Sequence, residues 1–324
     1  MISTVAAAVA RRRRAAVVAA PERRRVLSRP VVSIGNLSMG GTGKTPLAGH
    51  VARLLRSFGH KPAILSRGYA RPSLLEGAVV VSDGDRVLAD YATAGDEPLM
   101  LARQLAGCAV VVAADRYLAG AIAERRLGCT VHVLDDGFQH LRLARTLDLV
   151  VLSARDLDDA VLPFGRLREP LDAVGEADGV VVHAEEGIEA AARAAGARRV
   201  FSMYRRLGGA CRDAPALAFA GIALPAAFFD SLARDGWTIA ARVPFADHHR
   251  YSAADLARLA ERAKTAGAAL LVTTEKDAAR LAVREIAGLP LVVAPLEIAV
   301  EPAAEFASLL RASCPPPSGG AASW

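Results

Sequence analysis

Short runs of β-branched and other apolar residues alternate along this chain with longer Ala-, Leu- and Arg-rich stretches. Val31 to Ile34, Lys61 to Ser66, Val79 to Ser82, Ala109 to Ala113, Thr130 to Leu134, Leu147 to Leu152 and Gly179 to Val182 are short and almost uniformly apolar, and read as buried strands. Between them, residues 46 to 58 read as a helix ended by Gly59, Pro98 suits the first turn of a helix opening at Glu97, and Tyr117 to Leu127 is a third helix. This alternation predicts an α/β fold built on a doubly wound parallel sheet, whose ligands gather beyond the carboxyl ends of the strands. The pattern pauses over Arg199 to Arg206 and Gly208-Gly209, then restarts with a strand near 216–220, a helix near 225–234, a strand at 238–243, a helix at 253–266 and a strand at 269–273. We therefore expect a basic leader over 1–28, a larger domain over 29–204, a hinge, a smaller α/β domain over 205–312, and a disordered Pro- and Gly-rich tail over 313–324.

The first strand runs into Ser38-Met39-Gly40-Gly41-Thr42-Gly43-Lys44-Thr45 and then into a helix. Glycines at such a junction let backbone N–H groups converge on phosphate oxygens, a lysine reaches the β- and γ-phosphates, and the threonine hydroxyl suits a magnesium ion. The larger domain is therefore expected to be of P-loop NTPase type and to bind ATP with Mg2+, although Ser38 stands where the strict motif has its first glycine. Asp135-Asp136, ending an apolar strand, has the form of the acidic element that completes the metal shell opposite the loop threonine; acidic pairs also cap turns. Gln139 and His140 follow, placed to orient phosphate or water. Gly95-Asp96-Glu97-Pro98 offers two carboxylates at another strand-to-helix junction. They read either as a base for an acceptor hydroxyl with a metal ligand beside it, or as a helix cap with an acidic first turn. A guanine-reading Asn/Thr-Lys-x-Asp motif is not supported, since Thr274-Glu275-Lys276-Asp277 has its Lys and Asp adjacent; Met39 lacks the extra lysine of partitioning-type ATPases.

Composition narrows the setting. An apolar fraction of 52% over 324 residues excludes fibrous and disordered classes, and four widely separated cysteines indicate neither a zinc site nor a disulfide framework, as suits a reducing cytosol. The net charge of +6 is concentrated near the start, in Arg11 to Arg14 and Arg23 to Arg25, which points to an anionic partner there. The apolar run Val5 to Ala10 precedes these charges and is far short of a membrane span, so we expect neither a cleaved signal nor a transmembrane helix. As a helix, residues 3 to 20 would place arginines most of the way round the axis, making any contact with an anionic membrane surface mainly electrostatic. A solvated leader is the alternative. No aromatic-basic surface favours nucleic acid, and no obligate protein partner is expected.

Several further segments fall in order. Val32-Ser33-Ile34-Gly35-Asn36 before the glycine loop, Pro46 after it, Ser66-Arg67-Gly68-Tyr69, Gly95 to Pro98, Asp115-Arg116, Leu134 to His140, Pro163-Phe164-Gly165-Arg166-Leu167-Arg168-Glu169-Pro170, Phe245-Ala246-Asp247-His248 and Thr273 to Asp277 together resemble the tetraacyldisaccharide 4′-kinase family, the lipid A 4′-kinases. The resemblance spans about Arg29 to Pro302. It implies ATP-dependent phosphorylation of the 4′-hydroxyl of a tetraacyldisaccharide 1-phosphate by a peripheral protein at the cytoplasmic face of a Gram-negative inner membrane, and two α/β/α domains joined by a hinge. It further implies Asp96 as the base, His248 from the second domain as its dyad partner, and Thr45, Glu97, Asp135 and Asp136 serving metal and phosphates. Arg67, Tyr69, Arg166 and Arg168, with Gln139 and His140, become candidates for holding the anionic substrate. The leader departs from the family, which usually offers bulky apolar residues there, so charge is expected to replace depth of insertion. Two other readings stay open from the residues: a P-loop kinase of a soluble sugar or cofactor, and a nucleotide-dependent protein switch, which needs no base.

Overall fold

The computed structural model describes residues 2–68, 77–209, 213–281 and 283–317, with backbone alone at 2–5. Tyr69 and the end of the tail, 318–324, lie outside the described residues. Two compact units form, one from residues 1–204 with 299–324, the other from 205–298.

In chain order the first unit contains α1 (Ile2–Val18), β1 (Val31–Asn36), α2 (Lys44–Ser57), β2 (Pro62–Ser66), β3 (Ala78–Ser82), α3 (Tyr91–Ala94), α4 (Asp96–Gln104), β4 (Ala109–Ala113), α5 (Arg116–Leu127), β5 (Val131–Asp135), β6 (Leu147–Leu152), α6 (Ala154–Leu157), β7 (Gly179–His183), α7 (Ile188–Ala194) and β8 (Val200–Leu207). The chain then makes β9 (Ala216–Ala220), α8 (Pro225–Arg234), β10 (Ile239–Pro244), α9 (Ala253–Thr265), β11 (Leu270–Thr274), α10 (Glu275–Leu281), β12 (Glu285–Ile286) and β13 (Leu289–Ala294), and returns through β14 (Leu296–Glu301) to α11 (Ala303–Ser313).

The first unit is built on a nine-stranded sheet in the order β14-β8-β7-β6-β1-β5-β2-β4-β3. Strands β1, β2, β4, β5 and β6 are buried at every position, which is why their sequences are mainly apolar rather than alternating between apolar and exposed polar residues. All pairs from β4 through β8 are parallel; β3 closes its edge antiparallel to β4, so the sheet is mostly rather than wholly parallel. β1 lies between β5 and β6, with Ile34 opposite Asp135. The loop leaving β1 and the acidic end of β5 are thus neighbours by register. α2 packs on β1, β2 and β5, burying Leu47, Val51 and Leu55 completely.

The second unit carries a five-stranded sheet, β10-β9-β11-β13-β12, parallel except for the β12–β13 hairpin. Its apolar residues form two clusters, one around Phe228, Leu232 and Trp237, the other around Phe219, Leu259 and Leu271. Buried Asp277 accepts hydrogen bonds from Thr274 Oγ1 (2.6 Å), Tyr251 Oη (2.8 Å), Arg280 Nη1 (3.0 Å) and the Gly221 N–H (3.1 Å). The Thr274 to Asp277 segment is therefore a structural knot that fixes the turn after β9.

Three expectations change. The stretch 199–206 holds a strand, β8, hidden by its exposed Tyr204, Arg205 and Arg206, and the division between units falls inside it, between Tyr204 and Arg205. Residues 299–312 return to the first unit instead of completing the second, because α11 buries Phe306 and Leu310 and packs on α2. The seven leader arginines are not equivalent charges: α1 is docked, with Ala6 and Ala7 on the core beside Phe138, Arg14 is buried, Arg11 pairs with Asp172 at 2.7 Å, and Arg25 pairs with Asp115 at 2.6 Å.

Candidate active site

Chemistry collects where β1 and β5 end. Past Asn36 the chain turns through the glycine loop, and α2 begins at Lys44, directly after Gly43, whose φ of 88° lies in the left-handed region. No side chain caps this helix, so its first N–H groups and the positive end of its dipole remain for an anion. A Cβ placed on Gly40 or Gly41 would meet nothing within 4 Å, so open space lies against the loop backbone. Fully buried Asn36 braces the loop from within, its Nδ2 donating to Thr42 Oγ1 at 2.8 Å; a His183 ring nitrogen lies 2.9 Å from the Thr42 carbonyl. From outside, Met39 N–H donates to the Arg166 carbonyl (2.8 Å) and Arg168 N–H to the Leu37 carbonyl (2.6 Å).

Thr45 Oγ1 stands 3.2 Å from each carboxylate oxygen of Asp135. Burial first, then the neighbouring Glu97 charge, push the Asp135 carboxyl well above the usual carboxylate range, against the pull of Lys44. Asp136 follows in a left-handed conformation, φ 57°, uncommon for a residue with a side chain. Burial works to raise its carboxyl too, but Lys44 at 3.5 Å and Arg168 outweigh it and hold Asp136 below the ordinary value. A buried carboxylate crowded by like charge, next to a hydroxyl, suits a small hard cation, which relieves the repulsion and takes oxygen donors. No group of three or more His, Cys, Asp or Glu side chains forms a ready-made metal cage among the described residues. Such an arrangement fits magnesium, which keeps waters and phosphate oxygens as ligands.

At the start of α4, Gly95 is the N-cap, and Asp96 and Glu97 are the first two helical residues. Asp96 is 2% exposed and its Oδ1 accepts the Glu97 N–H at 2.9 Å. The acidic-first-turn alternative is therefore present in the geometry.

The expected substrate-holding residues separate. Arg67 is exposed after β2. Arg166 is held by Asp159 (2.7 Å) and the Arg155 carbonyl (3.0 Å). Arg168 is taken up inside the unit: it grips Asp136 with both terminal nitrogens (3.0 and 3.1 Å), and reaches Gln139 Oε1 (3.0 Å), Asn36 Oδ1 (3.2 Å) and the Ser38 carbonyl. Gln139 in turn donates to the Asn36 carbonyl (2.9 Å) and to Glu169 (3.1 Å). His140 is half-buried; burial, then Arg116, lower its pKa to about 4, so it is neutral near pH 7. Residues that the motifs contained without an assigned role also converge here. Arg116, 4% exposed, donates to the Ala113 and Ala114 carbonyls, and its charge is felt at His140. Glu169 and Arg14 form a buried pair. His248 lies in the other unit, after β10, with a φ of 58°, its N–H donating to the Gly221 carbonyl (3.1 Å) and to Asp247 Oδ1 (3.0 Å).

What the loop is shaped to hold is a chain of phosphates, and what Thr45 and Asp135 are suited to hold beside it is their counter-ion; the class so defined is the P-loop enzymes that use nucleoside triphosphates. The sequence profile of the family described as tetraacyldisaccharide-1-P 4′-kinase, LpxK, matches residues 1–314. Tetraacyldisaccharide 4′-kinase of Geobacter metallireducens is 46% identical over 278 residues, 79% of each chain. The protein of the same name from Geobacter sulfurreducens is 42% identical over 289 residues, 85% of this chain and 81% of that one. A crystal structure of LpxK from Aquifex aeolicus in complex with ATP superposes with a TM-score of 0.78 at 27% identity, covering 97% of both chains. The chain belongs to the tetraacyldisaccharide 4′-kinase family.

Proposed function

We propose that this protein transfers the γ-phosphoryl group of ATP to the 4′-hydroxyl of a tetraacyldisaccharide 1-phosphate, a step in building lipid A. The observation that carries the reading is the assembly of Lys44, Thr45 and Asp135 around an open glycine loop in a chain that matches the family over residues 1–314. Residues 38–45 wrap the phosphates and Lys44 neutralises charge on the β- and γ-groups. In the transfer the acceptor oxygen forms a bond to γ-phosphorus, the bond from γ-phosphorus to the bridging oxygen breaks, ADP leaves, and the hydroxyl proton passes to the Asp96 carboxylate. His248 assists Asp96 in that role. Magnesium bound by Thr45 and Asp135, with Glu97 and Asp136 nearby, supplies charge neutralisation for the phosphates when present. Arg67 engages the anionic lipid, with Tyr69 and His140; Gln139, Arg166 and Arg168 act from behind, as braces of the loop.

Label transfer from γ-phosphate-labelled ATP and magnesium to detergent-dispersed tetraacyldisaccharide 1-phosphate, resolved by thin-layer chromatography, tests this directly. A labelled bisphosphorylated lipid is expected; no labelled lipid from protein that still binds ATP would sink the assignment of acceptor. No helix among the described residues is long and apolar enough to cross a membrane. We place the protein peripherally at the cytoplasmic face of the inner membrane, held by exposed leader charge. Each basic residue near an anionic leaflet contributes about 1 kcal/mol, so Arg12→Gln with Arg13→Gln is expected to weaken flotation with anionic vesicles about thirtyfold while leaving transfer to detergent-dispersed lipid unchanged. Flotation equal to the parent's would remove these two residues from membrane contact.

A further inference from the structure

Of four consecutive arginines on α1, Arg11, Arg12 and Arg13 are exposed and Arg14 is 7% exposed. Its Nε and Nη2 meet the two oxygens of Glu169 at 2.5 and 2.8 Å, Nη2 also reaches the Phe138 carbonyl at 3.2 Å, and the guanidinium lies 3.9 Å over the Phe138 ring. Phe138 is completely buried two residues beyond Asp136. The same Glu169 oxygen that receives Arg14 Nη2 accepts from Gln139, Gln139 accepts from Arg168, Arg168 grips Asp136 with two bonds, and Asp136 stands 3.5 Å from Lys44 Nζ. An unbroken line of side chains therefore runs from the leader helix to the phosphate-binding lysine.

We propose that Arg14 is a positioning residue for phosphoryl transfer, setting the Glu169–Gln139–Arg168–Asp136 line that leaves Lys44 free to face the phosphates. The physical reason is charge sharing. Asp136 is gripped by Arg168, so it does not hold Lys44 as its sole cation. Glu169, itself 7% exposed, is satisfied by the bidentate fork of Arg14. Without Arg14 a buried carboxylate is left uncompensated, and Arg168 lies one side chain away through Gln139. Drawing Arg168 towards Glu169 loosens its grip on Asp136, and Asp136 then claims Lys44. The leader helix is on this account part of the catalytic unit, and its docking and its surface charge are separable properties.

The inference rests on the phosphoryl-transfer reading above, and the test keeps the two apart. In the full-length protein, Arg14→Gln is expected to lower kcat and affinity for a fluorescent ATP analogue each by about tenfold or more, with KM for the lipid unchanged within about twofold and flotation with anionic vesicles unchanged. Arg14→Lys keeps the charge without the fork and should fall between parent and glutamine variant in both readouts; it carries the test if Arg14→Gln fails to fold. Parent-like kcat and nucleotide affinity in either folded variant, or a loss confined to lipid KM or flotation, overturns the proposal. If the parent labels no lipid, the function reading falls, and the nucleotide-affinity comparison alone decides this one.

Discussion

Lys44→Met is expected to lower kcat by about 1,000-fold, the scale of losing one preorganised charge from a phosphoryl-transfer site. The fold should survive it. Methionine fills nearly the same stem volume, and Asp136 keeps its two bonds from Arg168 at 3.0 and 3.1 Å, so no carboxylate is orphaned. The chemistry should not survive, for two reasons that add. The developing charge on the transferring group loses its ammonium, and Asp135, already pushed up by burial and by Glu97, loses the cation that pulls its proton affinity back down. A carboxyl that holds its proton is a poorer magnesium ligand, so the variant should also need more magnesium to reach its residual rate. Steady-state kinetics at several magnesium concentrations, beside a thermal melt, check both arms. A rate within about fivefold of the parent would remove Lys44 from the phosphates, and a collapsed melt would make it a structural residue.

That pair of effects was half visible in the sequence. The glycine loop, Lys44, Thr45 and the two aspartates are local patterns, each confined to a few residues at a strand end, and local patterns survive translation into structure. The buried strands were legible for the same reason: with both faces covered, β1, β2, β4, β5 and β6 have no exposed positions, and apolar residues dominate them. Strands with one wet face were not. β13 and β14 mix buried, half-buried and exposed positions, and the pattern predicts neither; β8 does not read as a strand because Tyr204, Arg205 and Arg206 face outward, although the division between the units does fall within it. The braces of the site were also invisible, since they join positions far apart in sequence. Arg14 meets Glu169 across 155 residues and Arg168 meets Asn36 across 132, and nothing near Arg14 distinguishes it from the three arginines before it. Arg168 illustrates the consequence: an arginine in a motif suggests a hand held out to an anionic substrate, while the structure spends its bonds on the loop itself.

The other large effect is expected at Asp96. Asp96→Asn should cut kcat by about 1,000-fold with nucleotide affinity close to the parent's, since a positioned base contributes about 100- to 10,000-fold. Asparagine can repeat the present hydrogen bond: its side-chain oxygen accepts the Glu97 N–H as Asp96 Oδ1 does at 2.9 Å, and the first turn of α4 keeps its geometry. It cannot take a proton from an attacking hydroxyl. The substitution therefore divides the two readings left open by an acidic first turn. If Asp96 only supplies an acidic first turn, Asn keeps the local bond and activity persists; if it is the base, a folded, ATP-binding protein turns over about a thousandth as fast. His248→Ala, in the other unit, should act in the same direction but less severely, about 10- to 100-fold, because orienting a base costs less to lose than the base itself. Its left-handed backbone, φ 58°, is uncommon for a residue with a side chain, and although alanine keeps the bonds that the backbone N–H donates to the Gly221 carbonyl and Asp247 Oδ1, a melt must accompany the kinetics. Combining the two substitutions separates their roles. A double variant no slower than Asp96→Asn alone means that His248 acts through Asp96, whereas losses that multiply mean that it serves the reaction by an independent route.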